Sequence, residues 1–155
     1  VSPRALDIGL LILRLAGLYM AFGHGWGKVS ALAGGTADGL IGGVTKLGFP
    51  MPVVFAWAAA LSEFLGGLLV AFGLFTRYAA AFAAFTMFVA AFFQHHAAGV
   101  FLNWLGIAPV TDEVRKSWGN PELAFTYMLV FLAIALIGAG ALSIDALLAR
   151  RKAGS

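Results

Sequence analysis

Four runs of this chain, residues 8–26, 52–75, 78–96 and 121–142, are apolar over the length of a membrane crossing, and only two charges, Arg14 and Glu63, stand well inside them. A helix over residues 52–75 extends roughly 36 Å, more than the ~30 Å hydrocarbon core of a bilayer, so it crosses with some tilt. A soluble domain of this size covers its core with a surface that makes about 25% of all residues charged. Here 11% are charged and 61% hydrophobic, which excludes a soluble single-domain enzyme. The expected fold is all-α: one integral membrane domain over residues 1–155, an antiparallel four-helix bundle with the lipid bilayer as its solvent.

Between the first two runs lies a Gly-rich stretch, residues 27–48 (GKVSALAGGTADGLIGGVTKLG), and glycines this dense favour an irregular loop over a helix. Pro52 suits a first helical turn, where its missing N–H costs nothing. Thr76-Arg77 is so short a connection that the third run must fold back as an antiparallel neighbour. Residues 97–119 read as a mixed loop whose indoles, Trp104 and Trp118, suit the headgroup level. The fourth run opens on Asn120-Pro121-Glu122, a cap residue, a first-turn proline and an acid near the positive end of the dipole. Residues 143–155 read as a short tail ending in Arg150-Arg151-Lys152.

Four crossings put both termini on one side, with five bases there (Arg4, Arg77, Arg150, Arg151, Lys152) against four in the longer opposite loops (Lys28, Lys46, Arg115, Lys116). The positive-inside rule therefore predicts cytoplasmic termini. The first run does not read as a cleaved signal peptide, because Arg14 would sit inside its apolar core.

Composition removes further chemistries. The chain has no Cys, so it holds no disulfide, thiolate nucleophile, dithiol pair, or Cys-ligated zinc or iron–sulfur site. The formal charge of +3 is spread thinly, without the clustered bases that nucleic acid requires. His95-His96 fits no metal-ligand motif and has no carboxylate near it in sequence, so no metal site is expected.

Ionisable groups inside a span are costly and by default mark a function. With Asp7 as the cytoplasmic end of the first helix, Arg14 lies roughly 10 Å deep, Glu63 roughly 18 Å, His24 roughly 26 Å and His96 roughly 28 Å. Helical side chains lean toward their own N-terminus, so Glu63 leans toward the two histidines, while Arg14 leans away but is long enough to bend back. On the first helix Arg14, Gly17, Ala21, His24 and Lys28 fall within about 80° of arc, one polar stripe. On the second, Ala56, Ala59, Gly66 and Gly67 surround Glu63 with small residues, which allow close helix approach or leave room for a flat ligand. Each residue has a plain alternative: a structural salt bridge or snorkelling for Arg14, loop hydrogen bonds for His24 and His96, a frayed helix end for Gly23–Gly27.

The runs LLILRLAGLYMAFGHGWGK, GFPMPVVFAWAAALSEFLGGLLVAFGLFTR, FQHH and NPELAFTYMLVFLAIALIGAGALSIDALL together resemble the DoxX family of small four-helix bacterial membrane proteins. The resemblance covers nearly the whole chain, and its more specific elements are Arg14, His24 to Lys28, Glu63 with Gly66-Gly67, Thr76-Arg77, His96 and the Asn120 to Glu122 helix start. It implies a bacterial cytoplasmic (inner) membrane protein linked to quinone chemistry, since DoxX and DoxD name the membrane part of a thiosulfate:quinone oxidoreductase. Reducing a quinone takes two electrons and two protons, so on this reading Glu63 is the catalytic proton source, and Arg14, His24, Lys28 and His96 bind the cofactor. Nothing in the sequence holds a flavin or a cluster, so a membrane or peripheral partner subunit would supply the electrons.

Two other functions fit the same residues. A structural subunit would dock laterally on a larger complex through apolar spans such as the third, without chemistry of its own. A b-type haem protein would use His24 and His96, at similar depth on different helices, as axial ligands, although the family is not known for haem. No inverted repeat or broken span suggests a transporter.

Overall fold

The first helix starts where Ser2 and Pro3 place it. The Ser2 hydroxyl accepts the Ala5 N–H at 3.2 Å, and Pro3 fills the first turn. A computed structural model describes residues 2–154. In it α1 runs unbroken over Pro3–Ala33, followed by α2 (Asp38–Lys46), α3 (Pro52–Phe72), α4 (Thr76–Gln94), α5 (Ala97–Trp104), α6 (Asp112–Trp118), α7 (Glu122–Ile137) and α8 (Ile144–Ala153). No strand occurs among the described residues. Helices α1, α3 and α4 are long and apolar enough to cross a membrane, and α6 with α7, bent by 47°, make a fourth when taken as one span. Large apolar side chains such as Ile12, Phe82, Phe85 and Leu136 lie open on the outside, where acyl chains rather than water must meet them. The chain is an all-α membrane protein.

Two kinds of packing hold the spans together. Between α4 and α7 the contact is alanine against bulk: Ala80, Ala83, Ala84 and Met87 receive Tyr127, Phe131 and Ile134. Between α1 and α3 it is backbone on backbone. A Cβ on Gly17 would collide with the Gly67 carbonyl, one on Gly67 with the Gly17 carbonyl, and one on Gly25 with the Glu63–Phe64 backbone. Such close approach maximises van der Waals contact where lipid offers no hydrophobic drive.

The end of the bundle that carries both termini is tied by polar bonds. The Asp145 carboxylate accepts the Phe75 N–H (2.8 Å), the Thr76 N–H (2.9 Å) and the Thr76 hydroxyl (2.7 Å), so it caps α4 from outside. Asp7 accepts the Ala141 N–H at 2.7 Å, and Arg77 donates to the Ile137 carbonyl at 3.1 Å.

The elements depart from the sequence reading in three places. Residues 27–48 are mostly helical rather than an irregular loop. There α1 continues to Ala33, Gly35 turns the chain at φ +68°, and α2 packs on α3 with Val44 buried. Tertiary packing outweighs the helix penalty of about 1 kcal/mol per glycine. The last span ends at Ile137 instead of 142, because Gly138 and Gly140 take φ of +98° and +75°, a region that favours glycine. Residues 97–119 and the tail hold α5, α6 and α8, the latter two begun by Thr111 and Ser143 as side-chain caps.

Candidate functional site

Each of the three long spans contains one wide π-helical turn, Ala21–Gly25 in α1, Ser62–Gly66 in α3 and Ala90–Gln94 in α4. A π turn takes an extra residue, which widens the helix locally and rotates everything beyond it, and such turns concentrate at functional sites. The first two turns pack against each other, with Gly25 giving the Glu63–Phe64 backbone room to approach. They bring His24 and Glu63 to one level and swing Lys28, one turn further along α1, over the carboxylate.

Glu63 is 1% exposed and sits near the middle of α3. Its Oε1 accepts from the Lys28 ammonium at 2.5 Å, while its Oε2 is buried without a hydrogen-bond partner. A buried carboxylate carries a large desolvation cost that a single partner offsets only in part. The pair stands between two cavities. One, about 170 Å³ and the more polar of the two, sets His24, His95, Asn120 and Tyr127 among Met20, Met87, Leu123 and Ala124. The other, about 380 Å³, lies between α2, α3 and α4 and is lined mainly by apolar groups such as Leu40, Val44, Phe55, Phe82 and Phe85. Lys28, Glu63 and Ala90 line both.

Arg14 lies elsewhere. It is 1% exposed and donates through Nη2 to the Leu142 carbonyl, beyond the end of α7. Its guanidinium presses on Gly73, where any Cβ would collide with it, and Nε and Nη1 have no partner. Arg14 therefore does not pair with Glu63. Its charge acts on Asp145 instead: burial pushes that carboxyl up, but the hydrogen bonds from Thr76 and Phe75 and the Arg14 charge outweigh it and hold it below its ordinary value.

Of the two adjacent histidines, His95 lines the polar cavity, and its Nδ1 lies 3.0 Å from the Trp118 carbonyl. His96 is exposed, takes a left-handed φ of +49°, and its ring lies tilted against that of Trp118, 5.1 Å between centroids. His24 and His96 thus do not share that cavity. His24 faces Tyr127 edge-on at 6.2 Å. The sequence reading put Arg14, His24, Lys28 and His96 around Glu63; the structure brings His24 and Lys28 to it, sets Arg14 and His96 apart, and adds His95, Asn120 and Tyr127, which that reading did not include. The signal for Tyr127 was present: it is a lone phenol in an otherwise apolar run.

Three helices of membrane-crossing length, a fourth crossing made by a bent pair, and a buried mid-span carboxylate held by a part-exposed lysine define an integral membrane protein with an internal polar site. A sequence model of the DoxX family matches residues 9–96, the stretch that supplies both partners of the pair. The chain is similar to the inner membrane protein YqjF of Escherichia coli (strain K12), 32% identical over 146 residues, 94% of this chain and 95% of that protein. It is similar also to the inner membrane protein YphA of the same organism, 29% identical over 136 residues, 88% of this chain and 87% of that one. An uncharacterized protein of Haemophilus influenzae is 33% identical over 136 residues, with 88% and 87% covered. The chain belongs to the DoxX family. No solved structure matches it.

Proposed function

We propose that this chain is a bacterial inner membrane subunit, with cytoplasmic termini, that binds a quinone beside Lys28 and Glu63 and works with a partner protein that delivers electrons. The observation that carries the reading is a buried carboxylate, one oxygen held by an ammonium and the other without a partner, on a residue that lines a mainly apolar cavity. That donor–acceptor set fits the group. Quinone carbonyls need a donor, which Lys28 provides, and the hydroxyls of the reduced form need an acceptor, which Glu63 Oε2 provides. Bound there, a quinone supplies a two-electron, two-proton acceptor.

The remaining work belongs to the chain. Phe55, Phe82 and Phe85 offer apolar surface to an isoprenoid tail, while Glu63 presents its carboxylate at mid-span. The chain has no Cys, so electrons arrive from the partner rather than through a thiol relay. The inner membrane location follows the description of YqjF and YphA, and the orientation follows the bases of Arg4, Arg77, Arg150, Arg151 and Lys152 on the terminal side.

The test is titration of the purified protein in nanodiscs with decylubiquinone, read by quenching of its tryptophan fluorescence; Trp26 lies against Phe64, 5.3 Å between ring centroids. Saturable quenching is expected, weakened roughly 10- to 100-fold in Glu63→Gln and in Lys28→Met, the worth of one charge-assisted hydrogen bond. No saturable binding, or binding that both variants leave unchanged, overturns the reading.

A further inference from the structure

We infer that the polar cavity is a water-filled proton inlet that joins Glu63 to the aqueous face opposite the termini, and to that face alone. All four spanning helices or their ends bring a polar group to the cavity: His24 and Lys28 from α1, Glu63 from α3, His95 after α4, and Asn120 and Tyr127 from the start of α7. Glu63 lines it with a buried carboxylate that has one oxygen on Lys28 and no protein partner for the other, and buried polar groups without protein partners are commonly satisfied by ordered water. The cavity's volume of about 170 Å³ has room for several such waters. At the rim Asn120 is exposed and His95 half-buried, both in the connections that lie away from the termini.

His95 is suited to pass protons at that rim. Its Nδ1 faces the Trp118 carbonyl, which can only accept, so Nδ1 carries the ring proton and Nε2 is the nitrogen that binds or releases the second one. The other route is closed. One to two turns nearer the termini, Met20 on α1, Val70 on α3 and Phe131 on α7 are each 0% exposed, and α1 and α3 close backbone to backbone at Gly17 and Gly67. Below that plug Arg14 and Asp145 tie the helix ends together.

The step is a proton transfer and nothing more. A hydronium in the cavity gives its proton to the Glu63 carboxylate, leaving water and a neutral carboxyl, and the reverse step returns the proton to the same face. The titratable or charged groups around Glu63 are Lys28 and His24 on α1, His95 after α4 and Tyr127 on α7. Whichever molecule fills the apolar cavity, Glu63 takes its protons from the face opposite the termini.

The absence of Cys makes the test direct, because every introduced thiol is the only one. His24→Cys, Tyr127→Cys and Asn120→Cys, in oriented vesicles without quinone, are exposed to a charged, membrane-impermeant maleimide on one face at a time. All three are expected to label from the face opposite the termini, and Ser143→Cys from the terminal face. His24→Cys and Tyr127→Cys that both stay unlabelled, or that label from the terminal face, overturn the inference. In parallel, the protonated-carboxyl infrared band lost in Glu63→Gln is followed while pH is changed on one face. It should respond to the face opposite the termini, and a band that follows the other face, or both equally, overturns the inference. Neither measurement contains quinone, so a dry cavity defeats the inlet and leaves quinone binding to be judged on its own titration.

Discussion

Lys28 and Glu63 depend on each other more than on their surroundings. Removing one partner of a buried pair leaves an uncompensated charge and costs about 3 kcal/mol or more, whereas replacing both with uncharged groups of similar size is close to neutral. Glu63 is buried but Lys28 is about one-third exposed, so with screening Lys28→Met is expected to lower unfolding stability in detergent by about 1–2 kcal/mol, and Lys28→Met with Glu63→Gln to recover most of it. A double variant as unstable as the sum of the singles would show that the two residues act separately. Asp145 predicts a pH effect of definite sign. Its carboxyl is held below the ordinary value of 3.8, so its stabilisation is complete above that value and is lost as pH falls through the lower, folded-state value. Asp145→Asn should cost about 1 kcal/mol at neutral pH, as for a lost helix cap, and should flatten the acid limb of a melting-temperature profile. Arg14 and Glu63 were legible in the sequence because a charge in an apolar run is costly and stands out. Their partners were not: Lys28 was read on the same stripe of the first helix as Arg14 and His24, but depth measured by a uniform helical rise ignores the π turns that bring it over Glu63.

Spanning elements were legible for the same reason that the class was: length and missing charge are enough to find a crossing. What composition does not reveal is whether a glycine ends a helix or lets two helices touch. Gly17, Gly25 and Gly67 sit at contacts, while Gly27 and Gly42 have nothing within 4 Å of an added Cβ. Their substitutions should differ in sign. Gly17→Val and Gly25→Val are expected to destabilise by about 2 kcal/mol or more through forced separation of α1 and α3. Gly27→Ala and Gly42→Ala, in open helical positions, should stabilise by about 0.5–1 kcal/mol. Thermal unfolding in one detergent compares all four. The short helices α5, α6 and α8 escaped the sequence reading because none is long enough to show a sustained apolar period, and only their caps, Thr111 and Ser143, announce two of them.

At the scale of the whole molecule the bonds between elements are unevenly placed. Arg14 to Leu142, Asp7 to Ala141, Arg77 to Ile137 and Asp145 to Thr76 all lie at the terminal end, while the opposite end has the Lys28–Glu63 pair at its inner limit and the His95–Trp118 contact at its rim. Hydrogen exchange followed by mass spectrometry should therefore find slow amides at residues 73–80 and 137–145 and fast ones across 97–119. Equal protection at both ends would contradict the asymmetry. The four-helix plan predicted that the termini meet, but the carboxylates and arginines that bind there act across 60 residues of sequence or more, beyond what local patterning reveals. A bundle tied this way behaves like a pair of tongs riveted at one end. A protein that docks on the terminal face grips the rivet and meets a surface of constant shape, while any widening that admits a bulky guest from the membrane is felt at the far tips.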